Sequence, residues 1–83
     1  MEFKQFEDII ITSKAMLKID PSNAKIYANI ALSYQSLQKL EKAVLSYEKA
    51  ININPNYAEA YNNLGIILKD FLRTDPQKLH DPH

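Results

Sequence analysis

Residues 24–57 read AKIYANIALSYQSLQKLEKAVLSYEKAININPNY and contain two runs of apolar side chains at helical spacing. The first run extends over residues 27–37 and the second over residues 40–51. Apolar residues that recur every three or four positions lie on one face of an α-helix. Only the polar pair 38–39 separates the two runs, so this stretch predicts two antiparallel helices joined by a tight turn.

The pattern recurs along the chain with a fixed period of 34 residues, which is the interval from Pro21 to Pro55. Further identical pairs at the same offset are Tyr27 and Tyr61, Asn29 and Asn63, Ala24 and Ala58, Ile19 and Ile53, and Glu7 and Glu41. Self-similarity at such a period indicates a protein built from stacked repeats. Each repeat is then one helix pair, which buries its apolar face against its neighbours.

The predicted fold is all-α, with about four helices at residues 3–19, 24–37, 41–53 and 58–72. A proline follows the first and third helices, and it cannot continue a helix because it lacks the backbone N–H donor. Either Ser22 or Asn23 can cap the second helix, since both side chains accept hydrogen bonds from backbone N–H groups. Asn56 and Glu59 have the spacing of a capping box at the start of the fourth helix.

This arrangement resembles the tetratricopeptide repeat (TPR) family. Residues 24–57 match the family pattern at Tyr27, Ile30, Ala31, Tyr34, Ala43, Tyr47, Ala50 and Pro55. Residues 58–72 match its first-helix half at Tyr61, Leu64, Gly65 and Leu68, and residues 3–23 match its second-helix half at Phe6, Ile9, Met16 and Pro21. The resemblance implies a superhelix of antiparallel helix pairs, similar to the repeat region of O-GlcNAc transferases. It divides the chain into a second-helix half repeat at 1–23, a complete repeat at 24–57, a first-helix half repeat at 58–72 and a flexible tail at 73–83.

Small residues and three departures from the family pattern bear on how the helices pack. The resemblance implies that neighbouring helices approach closely at the small residues Ala31, Ala43, Ala50 and Gly65. Ile9 and Met16 stand where the family favours alanine, and Gln38 stands where glycine is common in the turn. We therefore expect the first helix to pack less closely than the others.

The resemblance also implies a groove that is lined by first helices and binds a protein segment. In superhelical members, asparagines in this groove bind the backbone of an extended peptide, and Asn29 and Asn63 hold that position. An amide suits this role because it donates and accepts hydrogen bonds at once; the alternative is a local packing role. The other expected lining residues are Lys25, Ala28, Leu32, Gln35, Ser36, Asn62, Ile66 and Lys69. Other family members clamp a terminal carboxylate with a lysine and an asparagine, but this chain has Ala28 and Leu32 there, so we expect no such clamp.

Composition argues against several other functions. Ten basic and ten acidic side chains cancel, so the chain lacks the positive footprint of a nucleic-acid-binding protein. It has no cysteine and no apolar run of the length needed to span a bilayer, and its first residues lack the pattern of a signal peptide. No nucleophile–base pair or phosphate-binding glycine loop is present, and His80, Asp81 and His83 at the chain end are not expected to bind a metal. We expect a non-enzymatic protein without cofactor, located inside the cell and in the cytoplasm.

Three functional interpretations follow. The first is a scaffold or adaptor module that binds a segment of a partner protein. The second is the substrate-selecting repeat region of a larger enzyme, such as an O-GlcNAc-transferase-like glycosyltransferase. The third, an RNA-binding repeat of similar period, is disfavoured by the zero net charge.

The half repeats at the two ends predict uncovered apolar surface. The residues expected there are Leu64, Ile67, Leu68, Phe71 and Leu72 on the last helix and Phe3, Phe6, Ile10 and Leu17 on the first. Such surface favours self-association through the end helices or a place within a longer repeat protein. Tyr27, Tyr34, Tyr47 and Tyr61 are expected in the core.

Overall fold

The computed structural model describes the backbone of residues 2–74 and the side chains of residues 4–71. Within this range the chain forms four α-helices and no strand: α1 (Glu2–Ile19), α2 (Ala24–Ser36), α3 (Leu40–Ile53) and α4 (Ala58–Thr74). Each bound lies within two residues of the predicted one, so the all-α fold is confirmed. Helix α4 continues through Thr74, two residues into the predicted tail, and the remainder of that tail lies outside the described residues.

Consecutive helices pack against each other, α1 on α2, α2 on α3 and α3 on α4. One cluster of buried residues joins α2, α3 and α4 and comprises Ala31, Ala43, Tyr47, Ala60 and Ile67. A second cluster joins α1 to α2 through Ile10, Ile26 and Ile30. Ala31, Ala43 and Ala50 have no exposed surface, which confirms that small residues occupy the close helix contacts. None of the helices within residues 2–74 is both long and apolar enough to cross a membrane.

The starts of α2 and α4 are built differently. Asn23 caps α2, because its side-chain oxygen accepts hydrogen bonds from the backbone N–H groups of Lys25 and Ile26. The predicted capping box of Asn56 is wrong, since α4 begins at Ala58 and residue 57 directly precedes it. The Asn56 N–H instead donates to the side-chain oxygen of Asn54, two residues earlier, which stabilises the turn before α4.

The turn between α2 and α3 is a Schellman motif. The Lys39 N–H donates to the Tyr34 carbonyl at 2.9 Å, and the Gln38 N–H donates to the Gln35 carbonyl at 3.0 Å. This motif places one residue in the left-handed region, and here Gln38 occupies it with φ 64°. Left-handed backbone costs an L-residue about 1–2 kcal/mol relative to glycine, because Cβ approaches the following carbonyl oxygen.

Replacing Gln38 with glycine is therefore expected to stabilise the fold by about 0.5–1 kcal/mol, since the relief of strain exceeds the added freedom of the unfolded chain. The measurement is urea denaturation followed by circular dichroism at 222 nm (the usual helix signal). Gln5→Gly, at an exposed position inside α1, is the matched control and is expected to destabilise by about 0.5–1 kcal/mol. Destabilisation by Gln38→Gly would contradict the left-handed assignment.

The expected end surfaces need correction at two residues. Ile67 has no exposed surface and Ile10 is 7% exposed, because Ile67 packs in the cluster of α3 and α4 and Ile10 packs on α2. Leu68 is exposed as predicted, and the half-buried residues are Phe6, Leu17, Leu64 and Phe71. The side chains of Phe3 and Leu72 lie outside the described residues.

Other residues form the exposed apolar surface at the two ends. On α1 these are Ile9 and Met16, which hold the register of the fully buried Ala43 and Ala50. On α4, Tyr61 is 50% exposed, so its predicted place in the core is wrong. Tyr47 is buried, and Tyr27 and Tyr34 are half-buried.

Candidate peptide-binding groove

A groove lies along one face of α2 and the start of α4, with α3 beneath it. We call it the α2–α4 groove; its lining residues are Lys25, Ala28, Asn29, Leu32, Tyr47, Tyr57, Glu59, Ala60 and Asn63. The residues from α2 recur at helical spacing, so they share one face of that helix. Four of the predicted site residues therefore meet in one place: Lys25, Asn29, Leu32 and Asn63.

Tyr47 forms the floor of this groove. Its ring belongs to the buried core, and the residue is 1% exposed. Its hydroxyl donates a hydrogen bond to Gln35 Oε1 at 3.3 Å, and the Asn63 side chain is also hydrogen-bonded to it. One phenol thus links amide side chains from α2 and α4 and fixes their orientation relative to each other.

The electrostatics keep this phenol neutral. Burial raises the pKa of the Tyr47 hydroxyl above its ordinary value of 10.0, and the hydrogen bond from Asn63 lowers it by less. The charges of Glu59 and Tyr57 raise this pKa further, since a nearby negative charge opposes ionisation. Burial, followed by Glu59, also raises the pKa of Tyr57. Both hydroxyls are therefore protonated near neutral pH and available as hydrogen-bond donors.

Three predicted site residues lie outside the α2–α4 groove. Asn62, Ile66 and Lys69 are exposed on α4, where their spacing of four and three residues places them in one stripe. Gln35 reaches the groove only through its hydrogen bond to Tyr47. These positions remain predictions as ligand-binding residues.

Sequence reasoning missed Tyr47, Tyr57 and Glu59 as lining residues. Tyr47 was assigned to the core on its helical spacing, and its ring does lie there. A signal was present, because the hydroxyl of a buried tyrosine usually has a hydrogen-bond partner and therefore points towards polar groups. Tyr57 and Glu59 lie at the start of α4, and nothing in the sequence indicates that this segment faces α2.

The groove presents amides, a phenol and one side chain of each charge. Asn29 is exposed at its edge, where its amide can donate to and accept from a peptide backbone. Lys25 and Glu59 add one positive and one negative group. Among the described residues, no three histidine, cysteine or acidic side chains come together as a metal site.

Comparisons with known proteins agree with this architecture. A family model described as TPR repeat matches residues 33–70. Over 65 residues the chain is 38% identical to small glutamine-rich tetratricopeptide repeat-containing protein 2 of Saccharomyces cerevisiae, covering 78% of this chain and 19% of that protein. Over 64 residues it is 41% identical to the small glutamine-rich tetratricopeptide repeat-containing protein of Dictyostelium discoideum, covering 77% of this chain and 19% of that protein.

A third relative is an enzyme by name. Over 52 residues the chain is 43% identical to the probable UDP-N-acetylglucosamine–peptide N-acetylglucosaminyltransferase SPINDLY of Solanum lycopersicum, covering 63% of this chain and 6% of that protein. The chain thus spans about a fifth of the length of the first two relatives and far less of the third. No solved structure matches it significantly. The repeat period, the four packed helices and these matches together show that the chain belongs to the tetratricopeptide repeat family.

Proposed function

We propose that the chain is a non-catalytic protein-interaction module that binds an extended segment of a partner protein in the α2–α4 groove. The observation that carries this proposal is the meeting of Asn29 and Asn63, from two successive repeats, in one groove. Their amides lie on a floor that Tyr47 holds in place through its hydrogen bonds to Gln35 and Asn63. Amides at this spacing recognise the peptide backbone, which every partner segment has, so the groove selects extended conformation more than side-chain identity.

Asn29→Ala tests this proposal. The probe is the most strongly bound member of a displayed library of random dodecapeptides, labelled with fluorescein and measured by anisotropy. A net hydrogen bond contributes about 0.5–1.5 kcal/mol, so we expect the affinity to fall roughly 2- to 10-fold. Asn52→Ala, at an exposed asparagine on α3 outside the groove, is the control and should leave the affinity unchanged. Equal affinities for the wild type and Asn29→Ala would contradict the backbone-binding role of Asn29.

A second candidate is a substrate-selecting repeat region within a larger glycosyltransferase. The 43% identity to the tomato protein over 52 residues favours it. In that case the same groove would select acceptor proteins, and the transfer reaction would occur in another domain. The coding sequence on either side of this chain distinguishes the two candidates, because a glycosyltransferase domain in the same reading frame would support the second.

We further propose that the exposed end of α4 binds α1 of a second copy of the chain. Gly65 carries the argument: nothing lies within 4 Å of the place where its Cβ would be, although Ala31, 34 residues earlier, is fully buried. Glycine inside a helix costs about 1 kcal/mol relative to alanine, and no contact among the described residues requires it. Ile9 and Met16 are larger than the alanines of their register, so a glycine opposite them compensates for their volume.

Gly65→Leu tests this association. Leucine favours the helix and has open space around it in the monomer, so the helical circular dichroism should be kept. In sedimentation equilibrium we expect the wild type to associate with rising concentration and the variant to remain monomeric. Asn62→Leu, at an exposed position on α4, is the control and should associate like the wild type. A wild type that stays monomeric at the highest concentration would exclude the second copy as the occupant of this surface.

A further inference from the structure

A second groove lies between α1 and α3, on the other side of α2. We call it the outer groove; its floor is formed by Leu17, Ile30 and Tyr34, and its rim by Lys14, Lys42 and Lys49. Successive residues of a helix are rotated by about 100°. At that rotation, Ile30 and Tyr34 lie on the face of α2 opposite Asn29, so the outer groove and the α2–α4 groove are separate surfaces.

The floor of the outer groove is apolar and recessed. Ile30 is buried, and Leu17 and Tyr34 are half-buried. Leu45 lines the groove from α3 and is 59% exposed, so its side chain has little to pack against within the chain. An apolar side chain from a partner would remove this surface from water, which is favourable in proportion to the area covered.

The rim concentrates positive charge on a chain that is neutral overall. The ammonium groups of Lys14 and Lys42 lie 5.8 Å and 5.9 Å from the centroid of the same Tyr34 ring. Attraction to the ring holds each cation there, but the two like charges repel each other. Lys49 adds a third positive charge, and none of the described side chains that line the outer groove is acidic.

We propose that the outer groove binds an acidic, amphipathic segment of a partner protein. Apolar side chains of that segment lie on the floor beside Leu45, and its carboxylates lie between the rim lysines, where they relieve the repulsion around Tyr34. This site is independent of the α2–α4 groove, so the module holds two different segments on opposite faces of α2. A flat anionic membrane fits less well, because a bilayer surface cannot reach the recessed Ile30 and Leu17.

The test is a selection from a displayed library of random dodecapeptides on the full chain, with removal of every peptide that also binds the Lys14→Gln/Lys42→Gln variant. We expect the remaining peptides to carry net negative charge together with leucine, isoleucine or phenylalanine. The most enriched peptide is then labelled with fluorescein and its affinity is measured by anisotropy. Circular dichroism checks that each variant is folded, which is expected because the lysines and Leu45 are exposed.

The variants separate the outer groove from other modes of binding. We expect the affinity to fall at least roughly fivefold in Lys14→Gln/Lys42→Gln and again in Leu45→Ser, and to weaken as salt screens the charges. Lys4→Gln/Lys39→Gln removes the same charge from exposed lysines outside this groove and should change the affinity little. Asn29→Ala should leave it unchanged, so a failure of the α2–α4 proposal is distinguishable from a failure of this one.

Three results would overturn the proposal. One is the absence of any enriched acidic peptide after the selection. Another is an equal loss of affinity in the Lys4→Gln/Lys39→Gln control, which would show attraction to net charge only. The third is binding of phosphatidylserine vesicles that depends on Lys14 and Lys42 while the peptides fail to bind, which would assign the lysines to a membrane surface.

Discussion

Tyr47→Ala is expected to destabilise the fold by about 3–5 kcal/mol, because it removes the largest side chain that is fully buried between α2, α3 and α4. Helical domains of 83 residues have total stabilities of about 4–12 kcal/mol, so this loss takes most or all of the stability. The ring also carries the hydroxyl that links Gln35 to Asn63, and both amides lose that partner. We expect a large loss of helical circular dichroism at 25 °C and no binding in the α2–α4 groove.

Two further variants separate the parts of this effect. Tyr61→Ala makes the same change at a tyrosine that is 50% exposed, and at low protein concentration we expect a loss below about 1 kcal/mol. Tyr47→Phe keeps the ring and removes the hydroxyl, with an expected loss of about 0.5–1.5 kcal/mol near neutral pH. Equal losses from Tyr47→Ala and Tyr61→Ala would contradict the placement of Tyr47 in the core.

Tyr47→Phe also has an alkaline signature. The folded state raises the pKa of this phenol, so above the unfolded value of 10.0 the unfolded chain ionises first. The stability that this group contributes is therefore fully present below pH 10 and is lost as pH rises through the folded pKa. We expect the wild type to lose more stability above pH 10 than Tyr47→Phe does, measured by urea denaturation at successive pH values.

The helices and their pairing follow from the sequence because the 34-residue period and the helical spacing give the same answer. Ala31 and Ala43 show why: a small residue in an apolar stripe indicates a close helix contact, and both are fully buried. The ends follow less well. Tyr61 has the register of Tyr27, yet α2 lies between α1 and α3, whereas α4 packs only on α3 among the described helices. Equal sequence therefore gives different exposure, which periodicity alone cannot predict.

The α2–α4 groove divides in the same way. The periodicity of α2 brings Lys25, Asn29 and Leu32 together, and this follows from their spacing. The link through Tyr47 joins residues 35, 47 and 63, which lie on three helices and have no local relation in the sequence. Their meeting depends on the angle and distance between helices, and a pattern of apolar positions fixes neither.

Ile67→Ala is the second variant with a large expected effect, a loss of about 2–5 kcal/mol. Ile67 has no exposed surface and packs in the cluster that fixes α4 on α3. Its register partner Ser33, 34 residues earlier, is also buried, so this position faces inward in both repeats. Truncation leaves a cavity at the contact of α3 and α4, and α4 should detach first because α3 is its main packing partner.

Ile66→Ala provides a matched control in the same helix. Ile66 is 51% exposed, so the same chemical change one residue away should cost less than about 1 kcal/mol. Urea denaturation gives both losses, and hydrogen exchange of the α4 amides tests whether that helix opens before the rest in Ile67→Ala. Equal losses for the two variants would place α4 in a different rotation about its axis. That rotation would also move Asn63 out of the α2–α4 groove, so this pair of variants tests the packing on which the proposed site depends.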